Sequence, residues 1–439
     1  MFMRRTTKLT AAVCAAALVC PSVLAEVRQM SVEEMLSLAD DNSTSIKSFQ
    51  TGVEQADAAV SAAKAERLPD VSAQLSFSYL GDGYIWDRDF SNGMSVDMPH
   101  FGNNFALKAS QAVYTGGAVT SGINLAKMGK QMAELSNAEN RRDVHFTLVG
   151  YYLQIFQLLN QERVFTENIG LTEQVIEQMK ARHDAGTALR NDITRYELQL
   201  KTLELNRTQV IDARKIINHQ LITVIGLPGD TEIVPDTATI ASTPAALAEG
   251  DWQHAATLQS TALQRASLNV DMSREKERLE KSEQLPKIAI VAEDYLNGPV
   301  TIEVPALDNN FNYWYVGIGI SYNFSSLFKN NKKLKEARIA TQRAQEQYTL
   351  AQERVENAVQ AAYTTLLTSF TELDTQRKSV ELACENYDVV SNRYYNDLAL
   401  ITDMVDAANT KLSAELGLVN ARINVIYNYY NMLYVSGQL

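Results

Sequence analysis

The segment that decides the fold occurs twice, first as Arg182-His183-Asp184-Ala185-Gly186-Thr187-Ala188-Leu189-Arg190-Asn191-Asp192 and again as Arg393-Tyr394-Tyr395-Asn396-Asp397-Leu398-Ala399-Leu400-Ile401-Thr402-Asp403. A shift of 211 residues aligns the two copies and continues without a gap from Asn104 to Gly226. Asn191 and Thr402 are residue types whose side-chain oxygens can cap the start of a returning helix. Each copy is therefore predicted to be a turn between two antiparallel helices, in a chain built from two similar halves.

Prolines are absent from both copies and from their surroundings. All nine prolines lie outside residues 100–227 and 306–439. Because an interior proline costs a helix about 3 kcal/mol, both tracts favour uninterrupted helices. We expect the long helices to extend about 100 Å, at about 1.5 Å per residue. The predicted helices are the long pair, 118–182 and 327–393, and the returning pair, 191–225 and 402–436.

The second long helix also carries a seam of mostly small residues at alternating steps of four and three. This is the spacing of a coiled coil, and small side chains at the seam let two helices approach closely. The seam consists of Ala337, Thr341, Ala344, Tyr348, Ala351, Val355 and Ala358.

Four other segments alternate apolar and polar residues, which is the period of a β-strand with one wet face. They are 71–80, 104–114, 287–296 and 313–324. Strands of about ten residues suit a tilted bilayer crossing, and an antiparallel sheet of a soluble protein is the alternative. Even the smallest membrane barrels need about eight strands. If these four strands span a bilayer, several chains must share one barrel.

Aromatic residues lie near the ends of these segments. Tyr79, Trp86, Trp314 and Tyr315 are placed where the strands meet their connecting loops. Trp and Tyr are enriched where a membrane meets water, so we expect these four residues to form an interfacial belt. Aromatic residues at the rim of a soluble sheet remain the alternative.

Residues 1–25 have the pattern of a secretory signal peptide. Arg4, Arg5 and Lys8 precede an apolar run, and small or modest residues lead to a predicted cleavage after Ala25. The mature chain then carries 37 basic and 52 acidic residues, a net charge of −15, which argues against nucleic acid as a partner. No run of about 18 apolar residues follows the signal, so no transmembrane helix is expected.

The predicted organisation is therefore two structural repeats joined by a linker. Residues 26–226 form the first repeat and residues 251–439 the second. Between them, residues 227–250 concentrate prolines among small and polar residues, as linkers do. The predicted fold class is α+β, in which each half contributes two strands and long coiled helices, and the protein is a membrane protein if the four strands span a bilayer.

No pattern typical of an enzyme occurs in the sequence. Phosphate loops, dinucleotide fingerprints, zinc-ligand spacings and nucleophile elbows are all missing, so we expect no catalysis, cofactor or metal. Asp403 and Asp406 stand out because they lie three residues apart on one helix face. Either they oppose the positive end of the helix dipole, or a symmetric assembly repeats them around a pore as a cation-attracting ring.

The order of elements and the hairpin residues together resemble the TolC outer-membrane factor family. Residues 400–407 are similar to the family's second hairpin motif and residues 186–193 to its first. The resemblance implies a homotrimer whose four strands per chain form one twelve-stranded barrel. It also implies a periplasmic helical barrel that continues from the strands for about 100 Å.

The resemblance also implies roles for particular residues. Asp403 and Asp406 match the acidic ring of the periplasmic aperture, and Asp192 and Tyr394 match members of a lock between hairpins. The family's lock arginine falls at Ala399 and its hairpin glycine at Asp397, so Arg190 or Arg195 is expected to substitute for the arginine. The implied adaptor-contacting tips are Gly186, Thr187, Ala188, Leu189, Leu398, Ala399 and Leu400.

The function implied by the resemblance is an exit duct in the outer membrane that extends into the periplasm, gated at its periplasmic end by the hairpins. Its implied partners are two further copies of the chain, outer-membrane lipid, a periplasmic adaptor and an inner-membrane RND or ABC transporter. The duct would serve tripartite efflux or type I secretion. A periplasmic coiled-coil scaffold without a pore is the alternative function.

Overall fold

The computed structural model describes residues 27–236 and 248–439. The predicted signal peptide lies outside the described residues. The first half contains β1 Val27–Met30, α1 Val32–Asn42, α2 Thr44–Ala65, β2 Asp70–Tyr79, β3 Gly83–Ile85, β4 Met94–Val96, β5 Phe101–Tyr114, α3 Ala118–Asp184 and α4 Arg190–Ile225. The second half contains β6 Glu232–Pro235, α5 Glu249–Gln259, α6 Thr261–Ser282, β7 Lys287–Gly298, β8 Phe311–Ser321, α7 Ser326–Tyr395 and α8 Ile401–Ser436.

The principal sheet has four antiparallel strands in the order β2-β5-β7-β8. The register aligns Val71 with Ala109, Ala109 with Ala292, and Ala292 with Val316. One face is therefore apolar across all four strands, and many of its larger side chains are exposed. These exposed residues are Val71, Leu75, Phe77, Tyr79, Phe101, Leu107, Ile290, Trp314, Val316, Ile318 and Ile320. Strands β2 and β8 form the two edges of the sheet.

The adjacent acids Glu293 and Asp294 lie on opposite faces of this sheet. Glu293 is aligned with Lys108 and Tyr315, on the polar face. Asp294 is aligned with Leu107 and Trp314, on the apolar face. There Nδ2 of Asn312 donates a hydrogen bond of 2.8 Å to the Asp294 carboxylate. The apolar face therefore includes an acid whose charge is partly met by a neighbouring amide.

The last strand ends earlier than the sequence pattern predicts. Alternation extends to residue 324, but β8 ends at Ser321. The cause is Asn323, whose Oδ1 accepts hydrogen bonds from the backbone N–H of Ser325 at 3.1 Å and from its hydroxyl at 2.7 Å. Asparagine side chains turn the backbone in this way. The chain therefore leaves the sheet early and enters α7.

Two very long helices continue from the sheet. Helix α3 has 67 residues and α7 has 70, and α4 and α8 return antiparallel to them. At about 1.5 Å per residue, each long helix extends about 100 Å. None of the helices in the described ranges combines the length and apolar composition needed to cross a membrane.

Both long helices end in the same hydrogen-bonded turn. The N–H of Thr187 donates to the Arg182 carbonyl at 2.8 Å, and the N–H of Leu398 donates to the Arg393 carbonyl at 2.8 Å. Between these residues, Gly186 has φ 78° and Asp397 has φ 59°. Left-handed residues in this position are typical of helix C-termini, where glycine is preferred. The duplicated sequence therefore produces duplicated backbone geometry, including at the position where aspartate replaces glycine.

A second, small sheet joins the start of the chain to the linker. Strands β1 and β6 pair in parallel, with Val27 opposite Glu232. The hydroxyl of the fully buried Tyr152 donates to the Met30 carbonyl at 2.7 Å and accepts from the Asp236 N–H at 2.8 Å. Tyr152 therefore connects both short strands to the middle of α3.

We expect Tyr152→Phe to loosen this small sheet, because the variant loses both hydrogen bonds of a buried hydroxyl, each worth about 1 kcal/mol. Amide hydrogen exchange of the purified protein should become about five- to thirtyfold faster in β1 and β6. Tyr427→Phe, at a partly exposed position on α8, serves as the control. Unchanged exchange in Tyr152→Phe would contradict the connecting role of the hydroxyl.

Candidate functional site

The two hairpins meet in one buried apolar cluster at the end farthest from the principal sheet. Helices α3, α4, α7 and α8 all contribute to this cluster, so the two hairpins pack together as one unit. Each buried methionine or isoleucine contributes about 1.5–3 kcal/mol. The cluster contains Val175, Ile176, Met179, Ile193, Tyr196, Tyr394, Ile401 and Met404.

The returning helices begin one residue before the predicted positions. Leu189 and Leu400 occupy the N-cap positions, and neither α4 nor α8 is capped by Asn191 or Thr402, which lie inside the helices. In α8 the cap is supplied by Asp403, whose Oδ2 accepts the Leu400 N–H at 3.0 Å. An acid three residues after the N-cap can satisfy a free backbone donor in this way. The prediction that Asn191 and Thr402 act as caps is therefore wrong.

Asp403 and Asp406 are both exposed, one turn apart at the start of α8. Asp403 caps the start of α8, where its charge also opposes the positive end of the helix dipole. The Asp406 side chain makes no hydrogen bond or ion pair with the described residues, although its carbonyl accepts from Thr410 at 2.9 Å. Capping uses one oxygen of Asp403 and leaves its charge at the surface. The structural role and the display of two negative charges are therefore compatible.

Tyr394 and Asp192 lie together across the two hairpins of the same chain. The Tyr394 hydroxyl is 3.5 Å from Oδ2 of Asp192, at the long limit for a hydrogen bond. Burial of the Tyr394 side chain, followed by the negative charge of Asp192, raises the pKa of Tyr394 to about 12. The hydroxyl therefore stays protonated at neutral pH and can donate to the carboxylate.

The cation that connects the first hairpin to the second is Arg182, which the sequence pattern did not single out. Its Nη2 is 2.8 Å from Oδ1 of Asp397, and its Nη1 donates to the Tyr395 carbonyl at 3.1 Å. The guanidinium carbon also lies 5.8 Å from the ring centre of Tyr394 and 5.9 Å from that of Tyr395, within the range of cation–π attraction. Arg182 thus joins the first hairpin to the turn of the second.

Arg190 and Arg195, the expected substitutes for the lock arginine, are both exposed. Neither guanidinium forms an ion pair with any residue that the structure describes. Asp397, which departs from the family's glycine, is the residue that Arg182 contacts. A partial signal was present in the duplication, because Asp397 aligns with Gly186 and so adds a carboxylate that can form an ion pair with a cation. Only the packing of the two hairpins shows which cation that is.

The predicted tip residues lie at the far end of the hairpins and display leucines. Leu189, Leu398 and Leu400 are 70%, 67% and 69% exposed. Gly186 and Thr187 are also exposed, whereas Ala188 and Ala399 are half-buried. The end of each chain therefore presents three large apolar side chains beside the exposed Asp403.

The predicted interfacial aromatics are divided among three environments. Tyr79 and Trp314 lie on the apolar face of the principal sheet, where both are largely exposed. Trp86 follows β3, and its ring centre lies 4.6 Å from that of Tyr84. Tyr315 is aligned with Glu293 on the polar face, because neighbours along a strand point to opposite sides. The expectation that Tyr315 joins Trp314 in one belt is therefore wrong.

No group of three or more His, Cys, Asp or Glu side chains in the described ranges is arranged to hold a metal ion.

Comparison with known proteins gives matches over both halves of the chain. The family described as "Outer membrane efflux protein" matches residues 35–227 and 252–433. The outer membrane protein TolC of Escherichia coli K12 is 24% identical over 189 residues, which cover 41% of this chain and 38% of TolC. This alignment therefore spans well under half the length of that relative.

Solved structures match over most of the chain. The outer membrane protein VceC of Vibrio cholerae has a TM-score of 0.74 at 14% identity, covering 92% of this chain and 96% of VceC. The CmeC outer membrane channel of Campylobacter jejuni has a TM-score of 0.73 at 14% identity, covering 93% and 85%. The predicted α+β fold with long helices is confirmed by these likenesses. Because the family match extends over both repeats, the chain belongs to the outer membrane efflux protein family.

Proposed function

We propose that the protein is the outer-membrane exit duct of a tripartite efflux or type I secretion system. The observation that carries this proposal is the principal sheet, with one exposed apolar face and one polar face, continued by helices about 100 Å long. In a barrel the apolar face would contact lipid and the polar face would line a water-filled lumen. In a periplasmic scaffold without a pore, the exposed apolar face of the sheet would remain in contact with water.

Three chains supply the closure that one chain lacks. A single sheet has unpaired edges at β2 and β8, and unpaired backbone groups are not tolerated in hydrocarbon. Pairing β8 of one copy with β2 of the next would close a barrel of twelve strands. The long helices of the three copies would then form a tube in the periplasm.

The periplasmic end would receive substrates from an RND or ABC transporter of the inner membrane through an adaptor protein. The exposed Leu189, Leu398 and Leu400 give the tips an apolar surface suited to such an adaptor. Beside them, three copies of Asp403 and Asp406 would surround the entrance. The resting hairpins would lie inward, and adaptor contact would move them outward.

The trimer is tested by the mass of the detergent-solubilised complex. Native mass spectrometry should give the mass of three mature chains, each beginning at residue 26 after the predicted cleavage. Heating should release single chains, because the proposed barrel is closed by strand pairing rather than by a covalent bond. A purified protein that remains a single chain in mild detergent would contradict the shared barrel.

The acidic entrance is tested by Asp403→Asn combined with Asp406→Asn. Asparagine keeps a capping oxygen at residue 403, so the helix start should survive while the charge is lost. We expect reversal potentials in planar bilayers to show a clearly weaker cation preference, since a charged ring sets selectivity. Asp184→Asn, an exposed acid at the end of α3, is the matched control. Unchanged selectivity in the double variant would refute the ring.

The contact between the hairpins is tested by Arg182→Ala. The guanidinium is partly buried but Asp397 is largely exposed. We therefore expect the contact between the hairpins to lose about 0.5–1 kcal/mol of stabilising free energy. The open fraction in single-channel records should rise about two- to fivefold, and Asp397→Ala should have little further effect when added. Lys180→Ala removes a looser pair of 3.9 Å within the first hairpin and serves as the control. Additive effects of the Arg182 and Asp397 variants would show that the two side chains act separately.

A further inference from the structure

Three aromatic rings form a stack on the polar face of the principal sheet. The ring centres of Tyr295 and Tyr313 lie 5.1 Å apart with an interplanar angle of 20°, and those of Phe311 and Tyr313 lie 5.4 Å apart at 30°. Near-parallel rings at such distances attract one another through offset stacking. We call Tyr295, Phe311 and Tyr313 the aromatic platform.

The strand register fixes the platform in place. Tyr295 of β7 is aligned with Tyr313 of β8 and with Ala106 of β5. On β5 the directly opposite residue, Ala106, is small, and the Lys108 side chain reaches over the Tyr295 ring instead. Regular strands hold side chains more rigidly than loops do, so the stack exists before any ligand arrives.

The nearby charges compensate one another. Lys108 is aligned with Glu293 across β5 and β7, and its Nζ lies 5.5 Å from the ring centre of Tyr295. The Tyr295 hydroxyl donates a hydrogen bond to Glu293. Lys108, Glu293 and the Tyr295 hydroxyl thus balance one another's charge and hydrogen bonding at one end of the platform. The platform surface that remains for a ligand is the exposed part of the Phe311 and Tyr313 rings, which are 55% and 40% exposed.

The platform also occupies one end of the polar face. Along β8 the polar-face residues change from Phe311, Tyr313 and Tyr315 near the loop to Gly317 and Gly319 toward α7. In the proposed duct, side chains on this face project into the lumen. Three copies of the platform would therefore narrow the outer part of the lumen, whereas the glycines leave the inner part wide.

We infer that the aromatic platform is a weak stacking site, within the lumen, for exported compounds that carry a planar aromatic ring. This inference rests on the proposed function, since the platform faces a lumen only if the sheet lines a duct. One stacked pair favours binding about two- to tenfold. Such a weak site retards a ring without trapping it, as conduction through a pore requires.

The test is single-channel recording in planar bilayers with N-methylquinolinium, a planar aromatic cation, added on the outer side. Tetraethylammonium carries the same charge without a ring and is the comparison compound. We expect N-methylquinolinium to reduce conductance at a concentration about two- to tenfold lower than tetraethylammonium. Equal block by the two compounds would overturn the inference, because it would show recognition of charge alone.

Variants at Tyr313 and Trp314 test the polar and the apolar face of the sheet separately. Tyr313→Leu should remove most of the preference for the aromatic compound, and Tyr313→Phe should retain it because the ring remains. Trp314→Leu changes the adjacent aromatic on the apolar face and should leave the preference intact. A preference that survives Tyr313→Leu, or that is lost only in Trp86→Leu, would overturn the inference. Absence of stepwise conductance from both the unaltered protein and Arg182→Ala, which is expected to open more often, would instead refute the duct, and the platform's lumenal role with it.

Discussion

The backbone hydrogen bonds of the principal sheet are the constraint on which the rest of the structure depends. Among the described residues, the sheet pairs β5 and β7 on both sides but leaves β2 and β8 with one unpaired edge each. Its apolar face suits hydrocarbon, where an unpaired backbone group costs several kcal/mol. In the proposed duct, a single chain would therefore be an incomplete unit. The two edges that would be unstable alone in lipid are also the edges through which copies would pair.

The duplication extends this arrangement along the helices. Each half leads from a strand into a long helix, through Gly116 and Gly117 before α3 and through Asn323 before α7. Both halves then turn and return to a left-handed glycine, Gly226 with φ 72° and Gly437 with φ 80°. A separate contact lies midway along α3, where the Tyr152 hydroxyl hydrogen-bonds to the Met30 carbonyl in β1 and to the Asp236 N–H just after β6. The sheet and the hairpins are thus opposite ends of one repeated unit.

Periodic features of this molecule could be predicted from the sequence, and contacts between distant residues could not. The alternation in residues 71–80 and the proline-free tracts locate the strands and long helices because both are local consequences of side-chain period and backbone geometry. A short strand at residues 232–234 could be predicted from the sequence, but its pairing with β1, across more than 200 residues of chain, could not. The contact of Arg182 with Asp397 depends on how the hairpins pack, which no spacing in the sequence encodes.

Asp397 shows how such a contact distinguishes two otherwise equivalent turns. Its backbone matches that of Gly186, yet a side chain in the left-handed region costs about 1 kcal/mol relative to glycine. The ion pair with Arg182 offsets a cost of this size. The reciprocal contact does not exist, since Gly186 has no side chain to pair with Arg393. The two turns therefore share a backbone geometry but only one of them forms an ion pair with the other hairpin. This ion pair, between Arg182 and Asp397, is a tether from the first hairpin to the turn of the second. Any outward movement of the second hairpin relative to the first must break that tether.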